Sequence, residues 1–256
     1  PVFAPGYLYG AVRERRGGDL DVDALLQAYL RLFRRRGGEL FTSHPVQAIE
    51  RRGQRWRISA GDQSFETALL VNAAGAWADA VAALAGLPAL GLRPLRRTAF
   101  TIDPPAGLSV GEWPEMVDVA EEFYFKPEAG RILVSPADET PVEPGDAQPE
   151  ELDVARGVDR FETATGLNIR RVNRSWAGLR TFAPDRLFVV GFDPRAEGFF
   201  WLAGQGGYGI QSAPSIAQLT RYLVTGNPLQ GDFSALADHA EGLSPLRLIG
   251  RAGQSR

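Results

Sequence analysis

The chain has 256 residues, of which 44% are hydrophobic and 23% charged, a composition typical of a globular protein that buries a substantial core. Its net charge of −3 shows no basic excess, so neither nucleic acid nor an anionic membrane surface is an expected partner. The chain has no cysteine and only two histidines, His44 and His239, which excludes disulfides and thiolate metal sites and leaves almost no material for a histidine metal site.

The first predicted elements are a helix and a strand. Residues 19–36 carry apolar side chains at helical spacing, with Asp19 or Asp21 as the N-cap and two glycines at 37–38 as the end of the helix. A strand is expected at residues 39–42.

A hairpin and a buried strand follow. The runs 46–51 and 55–60 are separated by Gly53 and predict a β-hairpin. Residues 67–72 are continuously apolar, which predicts a strand buried on both faces. This strand leads into a predicted helix over residues 77–85.

The middle of the chain has a different texture. Alternating segments at 95–102, 123–126 and 131–136 predict antiparallel strands joined by loops rich in proline and glycine. An acidic loop then leads into a predicted helix that ends near residue 165 and has Pro149 near its first turn.

The C-terminal part returns to the texture of buried strands. LFVVG at 187–191 and FFWLAG at 199–204 predict two strands, and a Gly-rich turn separates the second from a helix over about 213–225. We therefore expect a mixed α/β fold of two interleaved domains. One is a three-layer, Rossmann-like domain (13–90 and 179–256), and the other is built on an antiparallel sheet (1–12 and 91–178).

Three motifs have residue types that can carry chemistry. The first is VNAAGAWAD at 71–79, where small residues follow a strand and a helix N-terminus offers free N–H groups to an anion. The alternative interpretation is tight packing of strand against helix without a ligand.

The second motif is GQGGYGI at 204–210, between an apolar strand and a helix. Glycine permits a close approach of the backbone to a ligand, and the helix dipole stabilises negative charge at its start by roughly 0.3–1 kcal/mol. The spacing alone also fits a phosphate loop or a strained turn. No Lys-Ser/Thr pair follows it, which counts against a nucleoside-triphosphate loop.

The third motif is WAGLRTFAPD at 176–185. Arg180, at the end of a strand and among apolar residues, can hold a carboxylate through two hydrogen bonds. The alternative is a structural arginine that is paired with Asp185 or another acid.

Together with LRPLRRTAF at 92–100, YFKPEAGRILVSPADETP at 124–141 and LAGQGGYGIQSAP at 202–214, these motifs occur in an order and spacing that resembles one family. The chain is similar over essentially its whole length to the FAD-dependent D-amino-acid oxidase/glycine oxidase superfamily, especially to its bacterial dehydrogenase-like members. The resemblance implies that the first of the two domains binds FAD and that the second binds substrate.

The resemblance also implies roles for particular residues. Arg180 matches the position that grips the substrate carboxylate, and Tyr124 matches a side chain that lines the pocket or contacts the carboxylate. Val46 matches a valine whose backbone contacts the adenine side of FAD. The expected contacts to the flavin ring and ribityl chain come from the two turns, that is, from Ala73, Ala74, Gly75, Trp77, Gly204, Gly206, Gly207, Tyr208, Gly209 and Ile210.

Two departures from the family pattern stand out. The first βαβ unit of the family, with GxGxxG and an acidic residue about 20 positions later, is expected near the N-terminus, and the 256 residues are expected to begin downstream of it. The chain is therefore expected to need its own missing N-terminal segment, or a homo-oligomer, and to aggregate without it. The other departure is Gln205, which stands where several members carry a histidine and so leaves the substrate and the oxidant open.

The resemblance implies FAD-dependent dehydrogenation of a small amino acid, a D-amino acid or glycine, by hydride transfer to flavin N5. FAD is expected to be noncovalent because the chain has no cysteine, and no metal is expected. Two alternatives remain open, namely oxidation of a 2-hydroxy acid or an N-methyl amine, and a fragment that is not catalytic by itself. The expected location is the cytoplasm, or the periphery of a membrane that holds an electron acceptor.

Overall fold

The computed structural model describes residues 3–249, which form two compact units. One unit takes the described residues up to Arg13 together with Arg93–Thr181. The other takes Glu14–Leu92 together with the described residues from Phe182 onward. The chain thus passes between the units three times.

The sheets of the second unit explain its layers. Strands β1 (Val46–Arg52), β2 (Arg55–Ala60) and β3 (Gln63–Thr67) form an antiparallel sheet of their own. The predicted hairpin at 46–60 is therefore confirmed, and β3 extends it by one strand. The extra strand forms because the tight turn after Ala60 brings alternating polar and apolar residues back against β2.

A second sheet of this unit is made of β4 (Leu70–Asn72), β11 (Val189–Phe192) and β12 (Phe199–Ala203). Their order in the sheet is β11-β12-β4, and β12 pairs parallel with β4 and antiparallel with β11. Helix α2 (Ala78–Leu84) follows β4 after a short 3₁₀ turn, and helix α4 (Gly209–Thr225) follows β12.

Alternating side chains of this second sheet pack into two hydrophobic clusters. Phe199 and Trp201 of β12 pack with Trp56 of the hairpin sheet and with α2, whereas Phe200 packs with Leu219 of α4. Because successive residues of a strand point to opposite faces, the sheet is covered on both faces and the unit has three layers. Short helical turns at Gly231–His239, Ala240–Leu243 (α5) and Pro245–Arg247 complete it.

Helix α1 (Val22–Arg35) begins at Asp21, whose side chain accepts a hydrogen bond from the amide of Ala24 at 2.9 Å. The predicted helix is confirmed, and of the two caps that the sequence offered, Asp19 and Asp21, the structure has Asp21. No residue of α1 is buried, so the apolar stripe that identifies the helix in the sequence lies open.

The first unit is built on a six-stranded sheet with an antiparallel framework. The strands are β5 (Arg93–Ile102), β6 (Met116–Val117), β7 (Tyr124–Glu128), β8 (Arg131–Ser135), β9 (Thr140–Pro141) and β10 (Val172–Phe182). Their order in the sheet is β10-β5-β8-β7-β6, and the short strand β9 pairs with β5.

Helix α3 (Glu151–Thr165) covers one face of this sheet. Phe161 of α3 meets Phe125 of β7 edge to face, with ring centroids 5.1 Å apart. Arg96 of β5 reaches the same helix and donates to Asp153 at 2.7 Å as well as to Glu150. This buried ion pair fixes the register between α3 and the sheet.

Three details of the sequence prediction are wrong. Residues 39–42 form a loop, in which Phe41 packs on Phe65 instead of pairing its backbone in a sheet. The strand expected at 67–72 is the shorter β4, and Val71 is 39% exposed because β4 is the edge of its sheet within the described chain. Helix α4 begins at Gly209 and not near residue 213, because its first turn lies inside the glycine-rich motif. Pro149 directly precedes the N-cap of α3, as expected for a proline near the first turn.

Candidate functional site

The two glycine-containing turns of the second unit leave the sheet at the same edge. Strands β4 and β12 run parallel, with Asn72 opposite Trp201, and each strand ends within two residues of that pair. In open α/β sheets, ligands bind in the crevice beyond the carboxyl ends of parallel strands. The turns at 73–77 and 204–208 both lie at such an edge.

Asn72 shapes the first of these turns. Its side chain is 2% exposed, donates from Nδ2 to the carbonyl of Ala78 at 2.8 Å, and accepts from the amide of Ala74 at 3.3 Å. Gly75 stands in the left-handed region (φ 55°), and no atom lies within 4 Å of the place where a Cβ would be. The backbone therefore turns past open space, which leaves room for a ligand.

Gly206 anchors the second turn. Its φ is 53°, and a Cβ at this position would lie 2.3 Å from the Phe182 ring, so glycine is required by both conformation and space. The ring is itself covered by the guanidinium of Arg186, 4.0 Å from its centroid. The turn is thus held against Phe182 in one conformation.

This turn presents unused donors. Within the described residues, the amides of Gly206, Gly207 and Gly209 make no hydrogen bond, and no side chain caps the start of α4. Free N–H groups at a helix start attract negative charge and carbonyl oxygens. Nearby apolar side chains are also uncovered, since Tyr208 is 49% and Ile210 44% exposed.

Such a set of donors and apolar surface fits a flat heterocycle with carbonyl groups, and the isoalloxazine ring of FAD is one. Trp77, which is 48% exposed, adds an aromatic face at the same edge. The spare amides of 204–210 suit the pyrimidine side of the ring, where a reduced flavin carries negative charge. The residues present therefore fit the ring of FAD.

In the first unit, the sheet face opposite α3 carries a second group of predicted site residues. Phe125 and Arg96 point to α3, so the neighbouring positions Tyr124 and Arg97 point to the opposite face. Arg180 lies on β10, the strand next to β5, and is close enough to Arg97 for their charges to interact. Tyr124 interacts electrostatically with Arg97 as well.

The surroundings of Arg180 differ from those of a structural arginine. The residue is half-buried, and its side chain makes no hydrogen bond or ion pair with any residue from 3 to 249. Asp185, the partner that the sequence offers as the alternative, is held by Arg247 at 2.8 and 3.1 Å. Burial alone would raise the pKa of Asp185, but the hydrogen bonds from Arg247 and from the Leu187 amide outweigh it and lower that pKa.

Val46 lies away from both groups in sequence and in sheet. It is the first residue of β1, pairs with Ala60 in the hairpin sheet, precedes a bulge and is 39% exposed. It lies at the end of the sheet, and no observation assigns it a ligand.

A cavity of about 660 Å³ in the first unit is a different feature. It lies between the segment of Tyr7 to Val12 and strand β6, and Phe123 and Phe125 form part of its wall. Because Phe125 points to the α3 side of the sheet, this cavity lies on the side that Tyr124 does not face.

Three residues with a part in these sites were missed by the sequence analysis. Asn72 was visible as a polar residue at the end of an apolar strand. Asp79 accepts hydrogen bonds from the amides of Leu90, Gly91 and Leu92 at 2.8–3.0 Å and so fixes the loop after α2. Arg97 gave no signal, because a pair of arginines in a strand is usually solvated.

The match to known proteins agrees with this architecture. The family model for FAD dependent oxidoreductases (DAO) matches residues 1–223, and the chain belongs to this family. It is 28% identical over 203 residues to FAD-dependent oxidoreductase domain-containing protein 1 of Xenopus laevis, covering 70% of this chain and 38% of that protein. It is 23% identical to the glycine oxidase of Bacillus licheniformis, covering 82% and 55%.

Solved structures show the same fold. Glycine oxidase from Geobacillus kaustophilus superposes with a TM-score of 0.68 at 24% identity, covering 84% of this chain and 55% of that one. L-proline dehydrogenase from P. horikoshii superposes with a TM-score of 0.72 at 19% identity, covering 91% and 60%. The chain thus spans 38–60% of the length of these four proteins, and the expected mixed α/β fold is confirmed.

Two further observations concern the described residues. Across residues 3–249, no three histidine, aspartate or glutamate side chains come together as metal ligands. No helix in that range has the length and apolar character needed to cross a membrane.

Proposed function

We propose that this chain is the part of an FAD-dependent oxidoreductase that binds the flavin ring and the substrate, and that it dehydrogenates a small amino acid, a D-amino acid or glycine. The observation that carries the proposal is the parallel pairing of β4 with β12, which sets two turns with unused amides at one sheet edge. When bound, FAD supplies the redox chemistry by accepting a hydride from the substrate α-carbon.

The residues of the second unit have a binding role in this proposal. The amides of Gly206, Gly207 and Gly209 would hold the pyrimidine side of the ring, and the start of α4 would favour the negative charge of its reduced form. The turn of Ala73, Ala74, Gly75 and Trp77 would close over the ring and the ribityl chain. Tyr208 and Ile210 would contact the ring, and Val46 the adenine side.

The residues of the first unit have an orienting role. Arg180 would hold the substrate carboxylate in a bidentate pair, and the Tyr124 hydroxyl would donate to the same group. Fixing the carboxylate leaves the α-carbon one orientation, which is a contribution of positioning rather than of proton transfer. Arg180 is suited to this role because it has no protein partner in the described chain.

The phosphate interpretation of the 204–210 turn has less support. A dinucleotide-binding βαβ unit needs a parallel strand after its helix. Between the end of α4 and residue 249, the described chain forms only short helical turns, and β12 already has β4 and β11 as neighbours. The turn therefore suits the ring better than the pyrophosphate.

The pyrophosphate grip is proposed to lie on another segment that covers exposed apolar surface of the second unit. Leu26, Tyr29 and Phe33 of α1 are 52%, 55% and 48% exposed, and the edge strand β4 exposes Val71. Contiguous apolar surface and an open strand edge are what a missing neighbour would cover. An upstream segment carrying GxGxxG is the proposed neighbour, and a homo-oligomer is the competing arrangement.

Binding of a dye that reports apolar surface, measured with and without such a segment from a glycine oxidase, tests this arrangement. We expect the segment to lower dye binding and to prevent aggregation. Dye binding that falls with protein concentration alone would support the oligomer instead.

The substrate class is tested by anaerobic reduction of a dye acceptor. D-amino acids, glycine, sarcosine and 2-hydroxyglutarate are supplied to the flavin-loaded protein, and we expect reduction with an amino acid. Reduction with only the hydroxy acid or the N-methyl amine would contradict the proposed substrate and favour the alternative oxidation. A cytoplasmic location remains a prediction from the sequence.

A further inference from the structure

Two arginines lie close together on the side of the first unit's sheet that faces away from α3. Arg97 of β5 and Arg180 of β10 are on neighbouring strands, and their positive charges repel each other. The pKa of the Arg97 guanidinium is lowered, first by burial and then by the positive charge of Arg180. Two like charges at half-buried positions repel each other and are a costly arrangement in the absence of an anion.

The hydrogen bonds of Arg97 hold it in place but leave part of it available. Its Nε donates to the carbonyl of Asp138 at 2.9 Å, and one terminal nitrogen donates to Glu139 at 3.2 Å. The other terminal nitrogen, Nη1, has no partner among residues 3–249. This nitrogen is not among the fully buried atoms that lack a partner, so it keeps some exposure.

Glu139 compensates Arg97 only in part. Its side chain is 35% exposed, whereas that of Arg97 is 13% exposed, so the carboxylate lies nearer to solvent than the guanidinium that it pairs with. The Asp138 carboxylate also attracts the Arg97 charge, but its oxygens accept from the amide and the hydroxyl of Thr98 and make no hydrogen bond with Arg97. Among residues 3–249, Glu139 is therefore the one carboxylate that hydrogen-bonds to Arg97, and burial together with Arg180 still lowers the pKa of Arg97.

The geometry of carboxylate binding indicates which kind of anion would bind to both Arg97 and Arg180. A guanidinium binds one carboxylate through two parallel hydrogen bonds, and that fork is then occupied. A substrate with one carboxylate would satisfy Arg180 and leave Arg97 half-used. A substrate with a second anionic group would satisfy both arginines and remove their repulsion.

We infer that the substrate is a small amino acid with a second carboxylate in its side chain, and that Arg97 binds the second carboxylate while Arg180 binds the first. Arg97 is therefore the residue that selects for the second charge. This inference rests on the proposed function, because it takes Arg180 as the site of the first carboxylate.

The test is a binding measurement that needs no turnover. Glutarate and its monoamide have nearly the same shape and differ by one charge, and each is titrated calorimetrically into the purified protein. We expect glutarate to bind about tenfold tighter or more, the effect of one charged hydrogen-bonded pair. In Arg97→Gln this preference is lost, whereas Arg97→Lys keeps a part of it.

Two further variants separate a binding role from a structural one. Glu139→Gln removes the protein's own competing anion, so the preference for glutarate is expected to rise. Arg131→Gln is the matched control, since Arg131 lies on the same sheet, about six residues or roughly 20 Å along the strand from the level of Arg97, and pairs with Asp103. Melting curves of all variants show that each is folded.

Equal affinity of the wild type for the two ligands, or binding of neither, would overturn the inference. A preference that survives unchanged in Arg97→Gln would overturn it as well. The proposed oxidation is measured separately, by dye reduction. A protein that reduces the dye with glycine and binds both ligands equally would therefore keep the proposed function and contradict the inference of a second carboxylate.

Discussion

Asn72 of β4 lies directly opposite Trp201 of β12 in the parallel ladder of the second unit. This register brings the ends of the two strands together, and with them the turn that Asn72 organises and the turn that contains Gly206. Neither turn has a ligand-binding signal of its own that is stronger than a small-residue pattern. Their common edge makes them a candidate site for the flavin ring.

Removal of the Asn72 side chain should disturb the first turn. Asn72→Ala leaves the Ala78 carbonyl and the Ala74 amide without their buried partner, which costs about 1–3 kcal/mol of unfolding free energy. Urea unfolding measures the loss. The matched control is Asn227→Ala, at an exposed position, and an equal effect of the two variants would show that Asn72 does not hold the turn.

Gly206 should tolerate no side chain. In Gly206→Ala the new methyl group meets the Phe182 ring at a backbone conformation that alanine disfavours, so we expect a loss of about 1–3 kcal/mol. Gly242→Ala is the control, because Gly242 lies in the short helix α5 with open space around it. Thermal unfolding of both variants compares them, and a Gly206→Ala protein that melts with the wild type would contradict the described turn.

Arg180 should govern substrate affinity and not flavin binding. Arg180→Ala is expected to raise the KM of the amino-acid substrate by about tenfold or more, because a charged hydrogen-bonded pair is lost. Arg180→Lys keeps the positive charge but cannot form two parallel hydrogen bonds, so its KM should lie between those of the wild type and Arg180→Ala. The flavin spectrum is expected to stay the same, and steady-state kinetics unchanged from the wild type would sink the carboxylate role.

Asp193 should make the unfolding free energy of the protein depend on pH in the acid range. Burial alone would raise the pKa of this carboxyl, but hydrogen bonds from Arg195 at 2.6 Å and from the Trp201 indole at 2.9 Å outweigh it and lower the pKa. A lowered folded pKa stabilises the protein above the unfolded value, near 3.9, and this contribution is lost as the pH falls through the folded pKa.

Comparison of the wild type with Asp193→Asn measures this contribution. The difference in unfolding free energy between them is expected to be largest at about pH 6 and to shrink toward about pH 3 and below. Asp232→Asn, at an exposed position, serves as the control. A difference that does not change with pH would mean that the carboxylate charge of Asp193 does not stabilise the fold.

The sequence was sufficient to predict elements that carry strong local patterns. Helix α1 is predicted by its spacing and by a cap at Asp19 or Asp21, and the hairpin of β1 and β2 by two runs separated by Gly53. The loop at 39–42 was mistaken for a strand because a short apolar run says nothing about whether a pairing partner exists. The apolar run at 67–72 likewise predicts a buried Val71, but a local run does not reveal whether other parts of the molecule cover that side chain.

The candidate sites divide in a similar way. The turns at 73–77 and 204–210 were predicted from glycine and small residues, which reflect backbone requirements that are local. Arg97 was not predicted, because its importance arises from Arg180, some eighty residues away on the next strand. Such pairings come from strand order, which a single sequence does not encode in any short window.

The most direct test of the flavin site uses the bare ring. Lumiflavin has neither ribityl chain nor pyrophosphate, so its binding reports on the two turns alone, and quenching of its fluorescence measures it. We expect saturable quenching by the wild type and by Leu246→Glu, a control at an exposed apolar position, and none by Ile210→Glu, which sets a negative charge beside the free amides. Absence of saturable quenching in the wild type, or equal quenching by Ile210→Glu, would contradict a flavin-ring site at this edge of the sheet.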